Sequence, residues 1–194
     1  MTRFADCSVD EDIVSRARLG DTAANEAVYL AFATAVYNLA LRLTRQRQVA
    51  DEVLQETFIE VLTKIGSFRG EAPIGFWIRE IAVNKCLMHL RSGWHRKAIP
   101  LAAKEPDADD GIIAETSPDY LDLEKAMARL SPVSRTVVWL HDVEGYTHQE
   151  IGNLMSKTSS FSKSQLARAH KHLRTLLEDS NESEQPCMQL SNNY

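Results

Sequence analysis

Apolar side chains in this chain recur every three or four positions, and no stretch shows the strict alternation of a half-buried strand. Val36, Leu39, Ala40 and Leu43 fall on one helical face. Leu54, Phe58, Val61, Leu62 and Ile65 fall on another, and Trp77, Ile78, Ile81, Ala82 and Leu90 form a third stripe from about Phe76 to Leu90. Between the second and third stripes, the segment 67–73 contains a glycine and a proline and predicts a loop. From Ala98 to Thr116 there are two prolines, a glycine and five acids but no sustained apolar face, which predicts a flexible acidic linker. A second helical cluster follows. Ser131 and Pro132 predict an N-cap with proline at the first helical position. Gly145 closes that helix, and the run Thr147-His148-Gln149-Glu150 fits a capping box opening the next. From Asp179 onward the chain is polar and aperiodic, predicting a disordered tail over 179–194. The expected fold is all-α, with two small helical domains at 8–97 and 117–178 joined by the linker 98–116.

Composition narrows the class. With 44% hydrophobic and 25% charged residues, the 194-residue chain reads as globular rather than disordered. Its apolar runs are short, which predicts no membrane insertion, and the N-terminus lacks a basic-then-apolar leader, so the expected location is the cytoplasm. Cys7, Cys86 and Cys187 follow no ligand spacing and read as reduced thiols. The histidines, among them His141, His148, His170 and His172, form no metal motif, so neither a metal nor a cofactor is expected.

The net charge of −5 conceals strong segregation. Residues 64–104 carry eight basic and two acidic side chains, and 157–174 carry five and none, whereas 105–156 carry three and eleven. Attraction to phosphate depends on local potential, so two basic blocks matter more than an acidic mean. The second block lies in GYTHQEIGNLMSKTSSFSKSQLARAHKHLR, Gly145 to Arg174: a short helix, a polar break at 156–160, then a basic helix. That pattern predicts a helix-turn-helix.

Read together, RARLGD (16–21), VYNLALRLT (36–44), ADEVLQETF (50–58), FRGEAPIGFWIREIAVN (68–84), LR (90–91) and the second cluster resemble the extracytoplasmic-function class of bacterial sigma factors. The likeness covers about 8–97 and 117–177. It implies a non-enzymatic promoter-specificity subunit whose partners are core RNA polymerase, promoter DNA and an anti-sigma factor or other regulator. The first domain would hold polymerase and capture the melted downstream element. The second would read the upstream element.

The same resemblance implies roles for particular residues. With Leu54, Phe58, Val61 and Ile65 turned to the core, Asp51, Glu52, Gln55, Glu56 and Glu60 fall on the outer face, the side that in this family docks on polymerase. Val49 departs from the family's usual acid. Phe68, Arg69, Asn84 and Lys85 are expected at a base flipped from the melted strand, with Arg79, Arg91, Arg96 and Lys97 on its backbone. Asn84 offers both donor and acceptor, while Trp77, on an apolar stripe, reads as core. In the second domain Lys163, Ser164, Gln165 and Arg168 point toward the major groove, and Lys171 and Arg174 lie near phosphates.

The turn departs most from the family pattern. Gly152 stands where alanine is usual, a cost of about 1 kcal/mol inside a helix. Ser156 and Ser160 stand where glycine is usual, and a serine forced to positive φ at the turn costs about as much again. Phe161 is expected to turn inward and fill the space left by polar neighbours. Rival readings are a stand-alone helix-turn-helix regulator, which needs no acidic docking face, and a small helical enzyme, for which the chain offers no phosphate loop or nucleophile motif.

Overall fold

Side-chain caps at Asp21, Ser131 and Thr147 set the starts of three helices. The computed structural model describes residues 4–97 and 118–183, with the side chains of all but 92–97, 118–122 and 179–183. The first group of helices is α1 (Glu11–Arg18), α2 (Thr22–Thr44), α3 (Arg47–Lys64) and α4 (Ile74–Lys97). Asp21 opens α2 by accepting the amides of Ala23 and Ala24 at 2.9 and 3.1 Å, while Arg16 holds the same carboxylate. Arg45, at φ +57°, ends α2 in a left-handed step, and α3 folds back against it. Val28, Phe32, Val36, Leu39 and Leu43 of α2 are fully buried between α1, α3 and α4. On length and hydropathy alone α2 could cross a membrane, contrary to the expectation from short apolar runs, yet half of its most apolar window is buried in this bundle.

The stripe expected on α3 is rotated. Ala50, Val53, Thr57, Phe58 and Val61 are the buried positions, whereas Leu54 is half-buried and Leu62 faces outward at 44% exposure. The predicted loop is a short 3-10 turn at Ile65–Ser67 followed by irregular chain to Pro73. The third stripe extends in both directions to become α4.

The second group is α5 (Pro118–Arg129), α6 (Pro132–Val138), α7 (His148–Leu154) and α8 (Ser159–Ser183). Ser131 accepts the Ser134 amide at 3.1 Å with Pro132 behind it, the cap expected from sequence. α6 runs on as a π-helical turn, Trp139–Val143, in which the Glu144 amide reaches back five residues to the Trp139 carbonyl at 3.1 Å. Gly145 then takes φ +73°, and Thr147 and Glu150 close a full capping box. Val137, Val138, Leu140, Ile151 and Met155 are buried in this group, where α6 and α7 both pack against α8, and Leu166, Ala169, Leu173 and Leu176 give α8 its inner face. α8 continues to Ser183, about a turn past the expected start of the tail. The expected linker and residues 184–194 lie outside the described residues, among which there is no strand.

The two groups meet along an arginine-rich seam. Arg42 of α2 pairs with Glu124 of α5, and its guanidinium lies 5.6 Å from the Trp139 ring centre. Arg135 reaches back to the Leu43 carbonyl at 3.4 Å. Arg79 donates to the Glu144 carbonyl at 2.5 Å and stacks 4.4 Å from the Tyr146 ring centre, and Arg91 donates to the Leu154 carbonyl at 2.5 Å. Arg135 Nε, Arg79 Nε and Trp139 Nε1 are buried there without hydrogen-bond partners. Unsatisfied donors reduce the net worth of such a seam.

Candidate polymerase and DNA interfaces

The outer face of α3 carries Asp51, Glu52, Gln55 and Glu56, all exposed. Glu60, expected beside them, is instead half-buried and gripped by Lys64 at 2.7 Å and Lys85 at 2.9 Å, and those two ammonium groups hold its carboxyl below the usual range. His89 comes within 3.9 Å of Glu52 and 3.7 Å of Glu56. Helix α4 thus partly neutralises the inner edge of the acidic row and leaves Asp51 and Gln55 fully outward. Beside the row on α3 lie exposed Ile59 and Leu62, and α2 also exposes Tyr29 and Leu30. Tyr29 packs edge-on against Phe58, with ring centres 4.7 Å apart. Exposed acids bordered by exposed aliphatics suit a partner that is basic and partly apolar. The apolar border was missed because Leu62 continues the spacing of the core stripe.

The residues expected on the melted strand divide into two sets. Phe68 is half-buried and leans on Trp77, ring centres 5.2 Å apart; Arg69 and Asn84 are exposed. Phe68 and Arg69 precede the N-terminal end of α4, where Phe68, Pro73, Phe76 and Arg79 help to line a cavity of about 850 Å³, whereas Asn84 lies midway along the helix. Lys85, Arg79 and Arg91 are occupied. Lys85 is drawn to Glu60 and Glu56, which raise its pKa, because its position on α4 faces α3 and not solvent. Arg79 and Arg91 are spent on the seam. Arg96 and Lys97 belong to the last turn of α4, and their side chains lie outside those described.

In the second domain Lys163, Ser164, Arg168, Lys171 and Arg174 are all exposed on one side of α8. Gln165 is half-buried and faces the Ser134 hydroxyl of α6 at 3.4 Å, so it sits at the edge of this face. The break is shorter than expected, since Ser159 and Ser160 already belong to α8. The left-handed serine expected at the turn is Ser156, at φ +55°, while Ser160 is helical. Gly152 is required for a reason not legible in the sequence. A Cβ there would stand 2.9 Å from the Thr158 carbonyl carbon and 3.0 Å from both Lys157 O and Ser159 N. Phe161 turns in only halfway, with Lys157 Nζ 6.0 Å from its ring centre. The fully buried neighbour is Ser162, whose hydroxyl meets His148 Nδ1 at 3.0 Å. A hydrogen-bonded serine, not an inward phenylalanine, completes this corner.

Buried Cys86 has its thiol pushed up to about 12 by desolvation, and no group of His, Cys, Asp or Glu among the described residues is arranged to hold a metal ion.

Known proteins share this arrangement. The Sigma-70 region 2 profile matches residues 28–96 and the Sigma-70 region 4 profile matches 120–173, one on each helical group. The chain belongs to the sigma-70 family. Its similarity to the ECF RNA polymerase sigma factor SigM of Mycobacterium tuberculosis is 28% identity, over 87% of this chain and 84% of that protein. To the RNA polymerase sigma-H factor of Pseudomonas aeruginosa it is 25%, over 87% and 94%. In fold it resembles the sigma factor RpoE solved with the anti-sigma factor NepR from Bartonella quintana (TM-score 0.57, 21% identity, 79% of this chain and 96% of that one). It also resembles CnrH solved with the cytosolic domain of CnrY (TM-score 0.54, 18% identity, 88% and 97%). Within the family it is an extracytoplasmic-function sigma factor, acting in transcription initiation with core RNA polymerase and promoter DNA.

Proposed function

We propose that this chain directs core polymerase to a particular set of promoters through three separate surfaces, in the cytoplasm and without catalysis of its own. The domains are taken as 8–97 and 117–178. Asp51, Glu52, Gln55 and Glu56, with the apolar border at Ile59 and Leu62, form the polymerase surface. Phe68, Arg69 and Asn84 receive the melted downstream strand. Lys163, Ser164 and Arg168 read the upstream duplex while Lys171 and Arg174 hold its phosphates, and Gln165 contributes from the rim. The observation that carries this reading is the exposed cationic side of α8, free of any acid from Lys157 to Arg174.

Arg79, Arg91, Lys85, Arg96 and Lys97 belong to a second stage. Arg79 and Arg91 become available to DNA once the seam parts, so the closed arrangement is that of the chain before it spreads over polymerase. An anti-sigma protein, such as those bound to the neighbours in fold, would hold the chain in a comparable inactive form. Run-off transcription with core polymerase tests the whole. The chain should confer start-site selection, and an Asp51→Lys, Glu52→Lys double variant should lose it while melting as the wild type does. Full output from that variant would remove the polymerase surface from the assignment.

A further inference from the structure

Five side chains outside the DNA-facing surface tie the recognition helix to the rest of its domain. Asp142, in the π-helical turn, receives His141 Nδ1 on Oδ1 at 2.7 Å and His170 Nε2 of α8 on Oδ2 at 2.6 Å. The His141 ring stacks on His148 of α7, centres 4.5 Å apart and 19° from parallel. His148 in turn meets the fully buried Ser162 hydroxyl in the first turn of α8 at 3.0 Å. The chain Ser162–His148–His141–Asp142–His170 therefore grips α8 at two points eight residues apart, about 12 Å along its axis. Each grip is next in sequence to an expected DNA contact: Ser162 to Lys163, and His170 to Lys171.

We propose that this histidine–aspartate clasp sets the pose of the recognition helix, with neutral His148 as its closing element, so that discrimination among upstream sequences falls on acidification. His148 is a positioning residue that acts through Ser162. Resting on the promoter-reading role of α8, the inference adds a means of controlling it. Neutral His148 can accept the buried Ser162 proton on Nδ1. Protonation removes that lone pair, reverses the hydroxyl and leaves its hydrogen without an acceptor in a buried corner. The groups facing His148 also oppose a charge. His141 from the π-helical turn and Lys163 from α8 push against it, and Asp142, already shared between His141 and His170, counters them. Partial desolvation, followed by those two neighbours, holds the His148 pKa below its ordinary value near 6.5. A depressed histidine pKa makes its contribution fully present above about 6.5 and lost as pH falls toward the folded value. Protonation meanwhile adds positive charge, which favours phosphate binding of any sequence. Specific and non-specific affinity should therefore separate.

The test uses the full chain bound to core polymerase, a duplex selected from a random pool by the wild type at pH 8, and poly(dI-dC) as non-specific probe. Amide exchange of residues 159–170 is followed alongside. Wild type should lose about tenfold of its specific-to-non-specific ratio between pH 7.5 and 5.5, equivalent to about 1.4 kcal/mol, while the first turn of α8 exchanges faster. His148→Asn keeps a hydrogen-bonding side chain without titrating and should flatten the profile. His148→Phe keeps the stack, strands Ser162, and should show the low ratio at both pH values. A His148→Asn profile identical to wild type, or a wild-type ratio in His148→Phe, overturns the clasp. If α8 exchange follows pH while wild type discriminates no sequence at any pH, the promoter-reading assignment falls instead.

Discussion

Adding one methyl group at Gly152 should weaken the second domain, although helix propensity alone favours alanine there by about 1 kcal/mol. The new Cβ would lie 2.9 Å from Thr158 C and 3.0 Å from Lys157 O and Ser159 N. Comfortable carbon contacts are about 3.5–4.0 Å, so the intrusion approaches an ångström. All three neighbours are backbone, and the turn is pinned by the Lys157 amide on the Gly152 carbonyl at 2.8 Å. Relief therefore requires moving the start of α8. Overpacking of this kind costs about 1–3 kcal/mol, so after subtracting the propensity gain Gly152→Ala should destabilise by up to about 2 kcal/mol. In a unit of this size each kcal/mol moves the melting temperature by about 4–8 °C. Ser156→Gly should act in the opposite direction. It releases a left-handed serine, a strain of about 1–2 kcal/mol, against about 0.5–1 kcal/mol for the extra freedom of unfolded glycine. Urea melts followed by circular dichroism, with amide exchange resolved over 148–176, would measure both. A Gly152→Ala chain more stable than wild type would show that α7 and the turn do not approach so closely.

Other outcomes follow from single contacts. Thr147→Ala removes the cap of α7 and should cost about 0.5–2 kcal/mol in the same melts. Thr147 holds the Glu150 carboxyl, and Lys64 and Lys85 hold that of Glu60, below their ordinary range; stability from both is present at neutral pH and should decline as acid titration passes below about pH 4. Arg135→Met replaces a buried guanidinium, its pKa lowered to about 10 by desolvation and by Arg45, with an apolar chain of similar reach. The variant should melt at or above wild type, and a drop of several degrees would show that the Leu43 carbonyl contact outweighs the desolvation. Ile59→Asp with Leu62→Asp should weaken binding to core polymerase in a pull-down without lowering the melting temperature; unchanged binding would take the apolar border out of the interface.

Helix type and caps were legible because they are local. Ser131 and Thr147 announce themselves by position, and α8's inner face follows from spacing alone. The rotation of α3 was not legible, because Leu54 and Leu62 fit a helical stripe as well as Val53 and Thr57 do. Only packing against α2 and α4 decides between them. That three of the basic residues expected on DNA are occupied was not legible either. Arg79, Arg91 and Lys85 find partners 25 to 65 residues away in sequence, and no pattern reveals that. The histidines show the same limit. His141 and His148 looked unrelated across Gly145, and it is the turn at that glycine that folds one ring onto the other.

The π-helical turn amounts to one residue more than an α-helix would need between Trp139 and Glu144. Removing a single amino acid from that stretch would allow ordinary winding, but everything beyond it would swing by about 100° relative to α6. A lone codon deletion, harmless to composition and hydrophobicity, would thus disconnect sequence recognition from the body of the domain.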